Sequence, residues 1–207
     1  VGGFTESLKT RVVVPFTGSY DEFRHVLVHE LTHAFQFNML FRDTSGREAS
    51  RFSTGNVPLW VMEGLAEYFS IGYDETCDMV MRDILYNEHY ASLMDLTRHR
   101  VKSAYLFYKE GQAFFYFFEQ KYGREAIGEL FRDARDMNFE EAVRARTGKS
   151  LKELNLEWIR FYKKRYYPVV AGRNFDEEEG EQVTFHLNTK SSFNVAPAIS
   201  PDAKKIA

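Results

Sequence analysis

The chain has 207 residues, 44% of them hydrophobic and 28% charged, with a net charge of −3 and a single cysteine. That length and apolar content suffice for one sizeable core plus an appendage, while the balance of charge argues against nucleic acid as the main partner. One thiol, Cys77, excludes an internal disulfide and reads as a packed residue, and no apolar run reaches the 18 or so residues of a membrane span.

Taken in chain order, Arg11-Val12-Val13-Val14-Pro15-Phe16 is a strand by composition, bounded by Gly3 and Gly18. No sheet partner is evident ahead of Val12, and the pattern predicts a larger N-terminal β region. Ser19 followed by Glu22 reads as a capping box, and the stretch from Tyr20 to Leu40 contains no Gly or Pro. Phe23, Val26, Leu27, Leu31, Ala34 and Phe35 recur at helical spacing, which predicts a largely buried amphipathic helix with this stripe inward.

On that helix lies His29-Glu30-Leu31-Thr32-His33. Residues four apart are neighbours about 6 Å apart along the axis, so two imidazoles can reach one ion while Glu30 stands beside the water it activates. A catalytic zinc takes three protein ligands and leaves one position open. His25 and His33 are separated by about 12 Å along the axis and cannot share one ion, so His25 reads as a packed or hydrogen-bonded residue. Pro58 to Tyr68 reads as a second helix carrying Glu63 and Glu67 on one face. Carboxylates pointing into so apolar a segment need a positive partner. Glu63 is the candidate third ligand, and Glu67, one turn on, the acceptor that orients a ligand histidine. A solvated acidic stripe is the alternative.

His29-Glu30-x-x-His33 followed by Trp60-Val61-Met62-Glu63-Gly64-Leu65-Ala66-Glu67-Tyr68 resembles the gluzincin metallopeptidases, in particular bacterial MA-type peptidase-like domains with a W-x-x-E-G-x-A-E-Y second helix. The resemblance implies one Zn2+ per chain on His29, His33 and Glu63, with Glu30 activating water. Tyr108-Lys109-Glu110-Gly111-Gln112-Ala113 and the run to Gly123 are similar to the family's helix whose Tyr faces the metal. Tyr108 is therefore the implied oxyanion stabiliser and Tyr105 its rival. The family also places a strand beside the zinc helix to pair with extended substrate, a part that Arg11–Phe16 could play.

Further along, Arg124 to Arg135 is amphipathic, Asn138 with Glu141 opens a short helix that Gly148 closes, and Ser150 with Glu153 caps a helix running to Tyr167 before Pro168. The basic, aromatic run from Arg160 to Tyr167 reads as an ordinary amphipathic helix with its rings inward. His89, His99 and His186 stand outside any motif, and neither Glu48 nor Glu67 sits in a recognisable amine-anchoring motif. Residues 172–182 turn polar, Val183–Leu187 alternates like a strand, and Asn194 to Ala207 resembles the "aPaiSPDGkkIAf" signature of TolB-like propeller blades, with Ala203 in place of Gly.

The expected architecture is mainly α with some β. Residues 1–171 form a gluzincin-like zinc-peptidase domain with an N-terminal edge strand and helical C-terminal part, and residues 172–207 a linker and the first strands of a truncated propeller. The expected activity is zinc-dependent hydrolysis of a peptide or protein substrate. The alternative is a catalytically silent, zinc-stabilised scaffold of the bacterial cell envelope, with an envelope partner reached through the rest of the propeller. The propeller resemblance implies a location outside the cytoplasm, in the periplasm or cell envelope.

Overall fold

A computed structural model describes residues 2–6, 11–41, 56–100, 103–174, 179–181 and 198–206. The chain divides into two compact units, Val1–Pro168 and Val169–Ala207. In chain order the described elements are β1 (Phe4–Thr5), β2 (Val12–Val13), α1 (Tyr20–Phe41), α2 (Leu59–Ile71), α3 (Glu75–Tyr86), α4 (Leu93–Thr97), α5 (Ala104–Tyr122), α6 (Arg124–Asp136), α7 (Phe139–Thr147) and α8 (Leu151–Val170). The architecture is mainly helical with one small two-stranded sheet.

At the centre is α2, which packs chiefly against α5 and next against α1. Trp60, Val61, Met62, Leu65, Ala66 and Tyr68 are all buried, so the helix is apolar on most of its faces. Trp60 meets Phe114 and Phe139 edge-on at 5.1 and 5.4 Å, while its indole N–H donates to Thr97 Oγ1 at 3.1 Å. What lets α2 and α5 approach is a pair of glycines. A Cβ on Gly64 would lie 2.4 Å from Gly111 backbone atoms, and one on Gly111 would lie 2.5 Å from the Trp60 carbonyl oxygen. Only hydrogen fits at that crossing, which sets Glu63 and Tyr108 on neighbouring backbones.

Behind this crossing Phe114, Phe115, Phe117 and Phe118 of α5 form the interior with Trp158 and Tyr162 of α8. The Tyr162 hydroxyl donates to the Ala113 carbonyl at 2.9 Å, and Asn155 Oδ1 accepts from the Leu93 N–H at 2.8 Å. Of the rings in the basic run, Tyr162 and Tyr166 are buried as expected, whereas Tyr167 is 43% exposed. Cys77 is a buried free thiol against the Lys109 carbonyl, and burial raises its pKa far above the ordinary range. His89 and His99 are exposed.

Local signals read from the sequence recur at the helix ends. Asn138 and Glu141 form a complete capping box and Gly148 ends α7 in the left-handed conformation. Ser19 Oγ accepts from the Glu22 N–H at 3.3 Å, but the Glu22 carboxylate turns to the Thr17 hydroxyl, so that box is half made.

Three expectations need correction. The apolar stripe of α1 is not its buried face: Leu31 is 41% and Phe35 71% exposed, whereas the residues turned inward are His29, Glu30, Thr32, His33 and Gln36. Polar groups can be buried there because they bond to one another and to α2. The strand Arg11–Phe16 shrinks to Val12–Val13 and does have a partner ahead of it, pairing antiparallel with Phe4–Thr5 in the register Phe4↔Val13 and Thr5↔Val12. Helix α8 continues through Pro168 to Val170, with the proline confined to its last turn, where the helix ends two residues later. Helices α3 and α4 were not foreseen, although Asp74 and Ser92 cap their N-termini by accepting from Cys77 and Asp95 N–H groups.

In the second unit, Ile199 and Ile206 form an antiparallel bridge. Ala203, where the propeller signature carries Gly, holds φ at 54°. The Val183–Leu187 strand, His186 and Glu48 lie outside the described residues, as do Asn194 to Pro197 of that signature.

Candidate metal centre

Helices α1 and α2 bring the predicted residues together at one cleft. His29 Nε2, His33 Nε2 and Glu63 Oε2 lie 3.1 Å (His–His), 3.2 Å (His33–Glu63) and 3.3 Å (His29–Glu63) apart. An ion held at about 2.0–2.1 Å in tetrahedral geometry has ligand atoms about 3.3 Å apart, so the three donors are spaced as three corners of such a polyhedron would be. They are one of the groups of side chains here that could hold a metal ion.

Each histidine is turned by a partner on its other nitrogen. His33 Nδ1 lies 2.8 Å from Gln36 Oε1, and the Gln36 amide donates to the Met62 carbonyl at 3.0 Å. His33 thus carries its proton on Nδ1 and presents the Nε2 lone pair. His29 Nδ1 lies 3.3 Å from Glu67 Oε1, the contact foreseen for Glu67. Glu67 also meets His25 Nε2 at 3.2 Å and accepts from Lys109 Nζ at 2.9 Å. His25 is hydrogen-bonded, as expected, yet it also belongs to a second group of potential donors, His25, His29 and Glu67.

The electrostatics follow from burying two carboxylates beside imidazoles. Burial lowers the affinity of His29 for a proton, but the hydrogen bonds and charges of Glu63 and Glu67 overcome it and raise the pKa to about 9. Burial acts to raise the Glu63 pKa, and the contacts with His29 and His33 outweigh it and bring it to about 2. For Glu67, burial is likewise outweighed by His25, His29 and Lys109, and its pKa falls. The cluster attracts positive charge and keeps its carboxylates ionised, as a cation site requires.

Glu30 faces the same cleft, buried, and accepts from the Thr5 hydroxyl at 2.7 Å. Gly3 backs it closely: a Cβ there would come within 2.7 Å of Glu30 Cγ. The cleft, about 250 Å³, is walled by Phe4, Phe37, Leu59, Met62 and Tyr108. Of the two tyrosines, Tyr108 lines it, with its ring near-parallel to His29 at 6.1 Å; Tyr105 is 49% exposed and does not. Burial, then the charge and hydrogen bond of Glu63, push the Tyr108 pKa up to about 12, so its hydroxyl is a donor at neutral pH. The strand against the cleft is β1, not the Arg11–Phe16 stretch expected.

Sequence reasoning missed Thr5, Gln36, Lys109 and Gln112. Gln36 was within reach, one turn beyond His33 in a helix with its histidines inward. Lys109, a lone cation between Tyr108 and the phenylalanine run, left a weaker trace. Thr5 arrives only through tertiary packing and has no local signal.

No curated protein and no solved structure matches the chain. Residues 16–164 match the sequence profile of the Peptidase MA superfamily, a span that contains α1, α2 and α5 and the whole donor set except the Thr5 contact. With nearly three-quarters of its length so matched, the chain belongs to the Peptidase MA superfamily.

Proposed function

We propose that the protein is a zinc-dependent metallopeptidase that cleaves peptide bonds with Glu30 as general base. The observation that carries the reading is the conjunction of three donor atoms 3.1 to 3.3 Å apart with Glu30 and Tyr108 at one cleft. His29, His33 and Glu63 are the residues that would hold the ion. The chemistry contributed by zinc is polarisation of the scissile carbonyl and acidification of a water.

The remaining work falls to this chain's own groups. Glu30 removes the proton of the attacking water and returns it to the leaving amine, with its carboxylate aimed by Thr5. Tyr108 donates its hydroxyl to the developing oxyanion. Phe4, Phe37, Leu59 and Met62 give the cleft apolar walls against which substrate side chains can pack. An extended substrate can add to β1, whose described partner is β2 on one side only. The proposed domain boundary, with residues 172–207 as linker and opening strands of a TolB-like propeller, and an extracytoplasmic location rest on the tail's resemblance.

The reading is tested by zinc content together with digestion of a peptide library. One zinc per chain, lost in Glu63→Ala along with cleavage, is expected. Zinc bound in wild type with no peptide cleaved would favour the silent scaffold.

A further inference from the structure

Histidines at 25, 29 and 33 repeat every four residues on α1, and glutamates at 63 and 67 repeat at the same interval on α2. Two donor sets result, displaced by one helical turn: His29–His33–Glu63 and His25–His29–Glu67. His29 belongs to both and is placed symmetrically, with Nε2 3.3 Å from Glu63 Oε2 and Nδ1 3.3 Å from Glu67 Oε1. A neutral imidazole has one lone pair, so His29 can serve either set but not both. Its own geometry does not say which.

What breaks the symmetry is Lys109. Its ammonium, buried, donates to Glu67 Oε2 at 2.9 Å and to Gln112 Oε1 at 3.0 Å. Gln112 is fixed in turn, its amide donating to the Gly72 carbonyl at 2.6 Å and to Asp74 Oδ1 at 3.0 Å. A resident cation therefore stands on the Glu67 side, while the ion-pair partners of Glu63 are the two histidines. A divalent ion entering the displaced set would meet that charge at close range in a poorly solvated site, whereas the other set offers it carboxylate and imidazole.

We propose that Lys109 is a positioning residue that commits the metal to the His29–His33–Glu63 set by occupying the charge of Glu67 and closing the set one turn away. Glu67, so engaged, is left to accept from His29 Nδ1 and direct Nε2 towards the ion. The proposal rests on the reading that the His29–His33–Glu63 set holds zinc.

The test is zinc stoichiometry at equimolar zinc, with folding of each variant followed by circular dichroism. Wild type and His25→Ala should hold one zinc, and Glu63→Ala should hold none. Glu63→Ala/Lys109→Met should regain one zinc through the freed set and lose it again when His25→Ala is added. Glu63→Ala/Lys109→Arg, which keeps the charge, should stay empty. A folded Glu63→Ala/Lys109→Met protein without zinc overturns the proposal, as does zinc in Glu63→Ala that His25→Ala removes. Should the double variant not fold, cadmium-loaded wild type decides by NMR: metal coupling to His29 and His33 is expected, and coupling to His25 overturns the proposal. Wild type without zinc would remove the peptidase reading and this proposal together, whereas zinc in wild type with none in the folded double variant removes this proposal alone.

Discussion

Replacing Gly64 by Ala tests the packing that places the metal donors. The new methyl would sit 2.4 Å from the Cα and carbonyl carbon of Gly111 and 2.9 Å from the Gln112 nitrogen, all of them backbone atoms. Carbon atoms in contact stand about 3.5 Å apart, so α2 and α5 must part by about 1 Å at their crossing, and no flexible side chain can absorb the difference. Overpacking of this kind costs about 3 kcal/mol. Glu63 is the adjacent residue, so the same displacement draws its carboxylate from the two imidazoles and weakens zinc binding, roughly tenfold. Urea denaturation of the zinc-free protein gives the first quantity and chelator competition the second. Gly128→Ala is the control of opposite sign: that glycine lies inside α6 with nothing within 4 Å of its missing Cβ, so alanine there should stabilise by about 0.5–1 kcal/mol. A Gly64→Ala protein within about 0.5 kcal/mol of wild type would refute the reasoning.

Three further outcomes follow from the site and its surroundings. Tyr108→Phe should lower kcat by roughly a hundredfold with little change in KM, while the exposed Tyr105 tolerates Phe within about twofold; equal losses in steady-state assays would contradict the assignment. Thr5→Val removes the hydroxyl that holds the Glu30 carboxylate, and should slow turnover by about tenfold with zinc content unchanged; wild-type kinetics would show that Glu30 needs no such support. Glu110 is fully buried with the Ala91 N–H as its described partner, and burial, opposed by that hydrogen bond, pushes its pKa up to about 8 from the ordinary 4.5. Its folded form therefore holds a proton that its unfolded form releases, so stability falls as pH rises from about 4.5 to about 8 and is level above. Glu110→Gln keeps the acceptor without the charge, and thermal melts should show it more stable than wild type above pH 8 and matched to it near pH 4; a gain equal at both would refute the shift.

The chemistry was more legible than the packing. Helical spacing singled out His29, Glu30 and His33, Glu63 was a candidate as a carboxylate in an apolar segment, and the structure brings all four to one cleft. Glu67 was readable as an acid one turn from Glu63, yet its ion pair with Lys109 was not, since that contact joins residues 42 apart in sequence. The inward face of α1 was misjudged for a related reason. Periodicity ranks faces by apolar content, whereas α1 buries His29, Glu30, His33 and Gln36 and turns Leu31 and Phe35 outward. Capping signals at Asn138 and Gly148 were recovered because they act within a few residues. The Phe4–Thr5 strand is two residues long, too short for alternation to register.

The measurement nearest to the central claim is turnover of a peptide by zinc-loaded wild type beside zinc-loaded Glu30→Gln. Glu30 contacts Thr5 rather than the donor atoms, so the variant should keep one zinc per chain while cleavage falls by a hundredfold or more, about the contribution of a positioned general base. Undiminished cleavage by Glu30→Gln with its zinc in place would contradict the account.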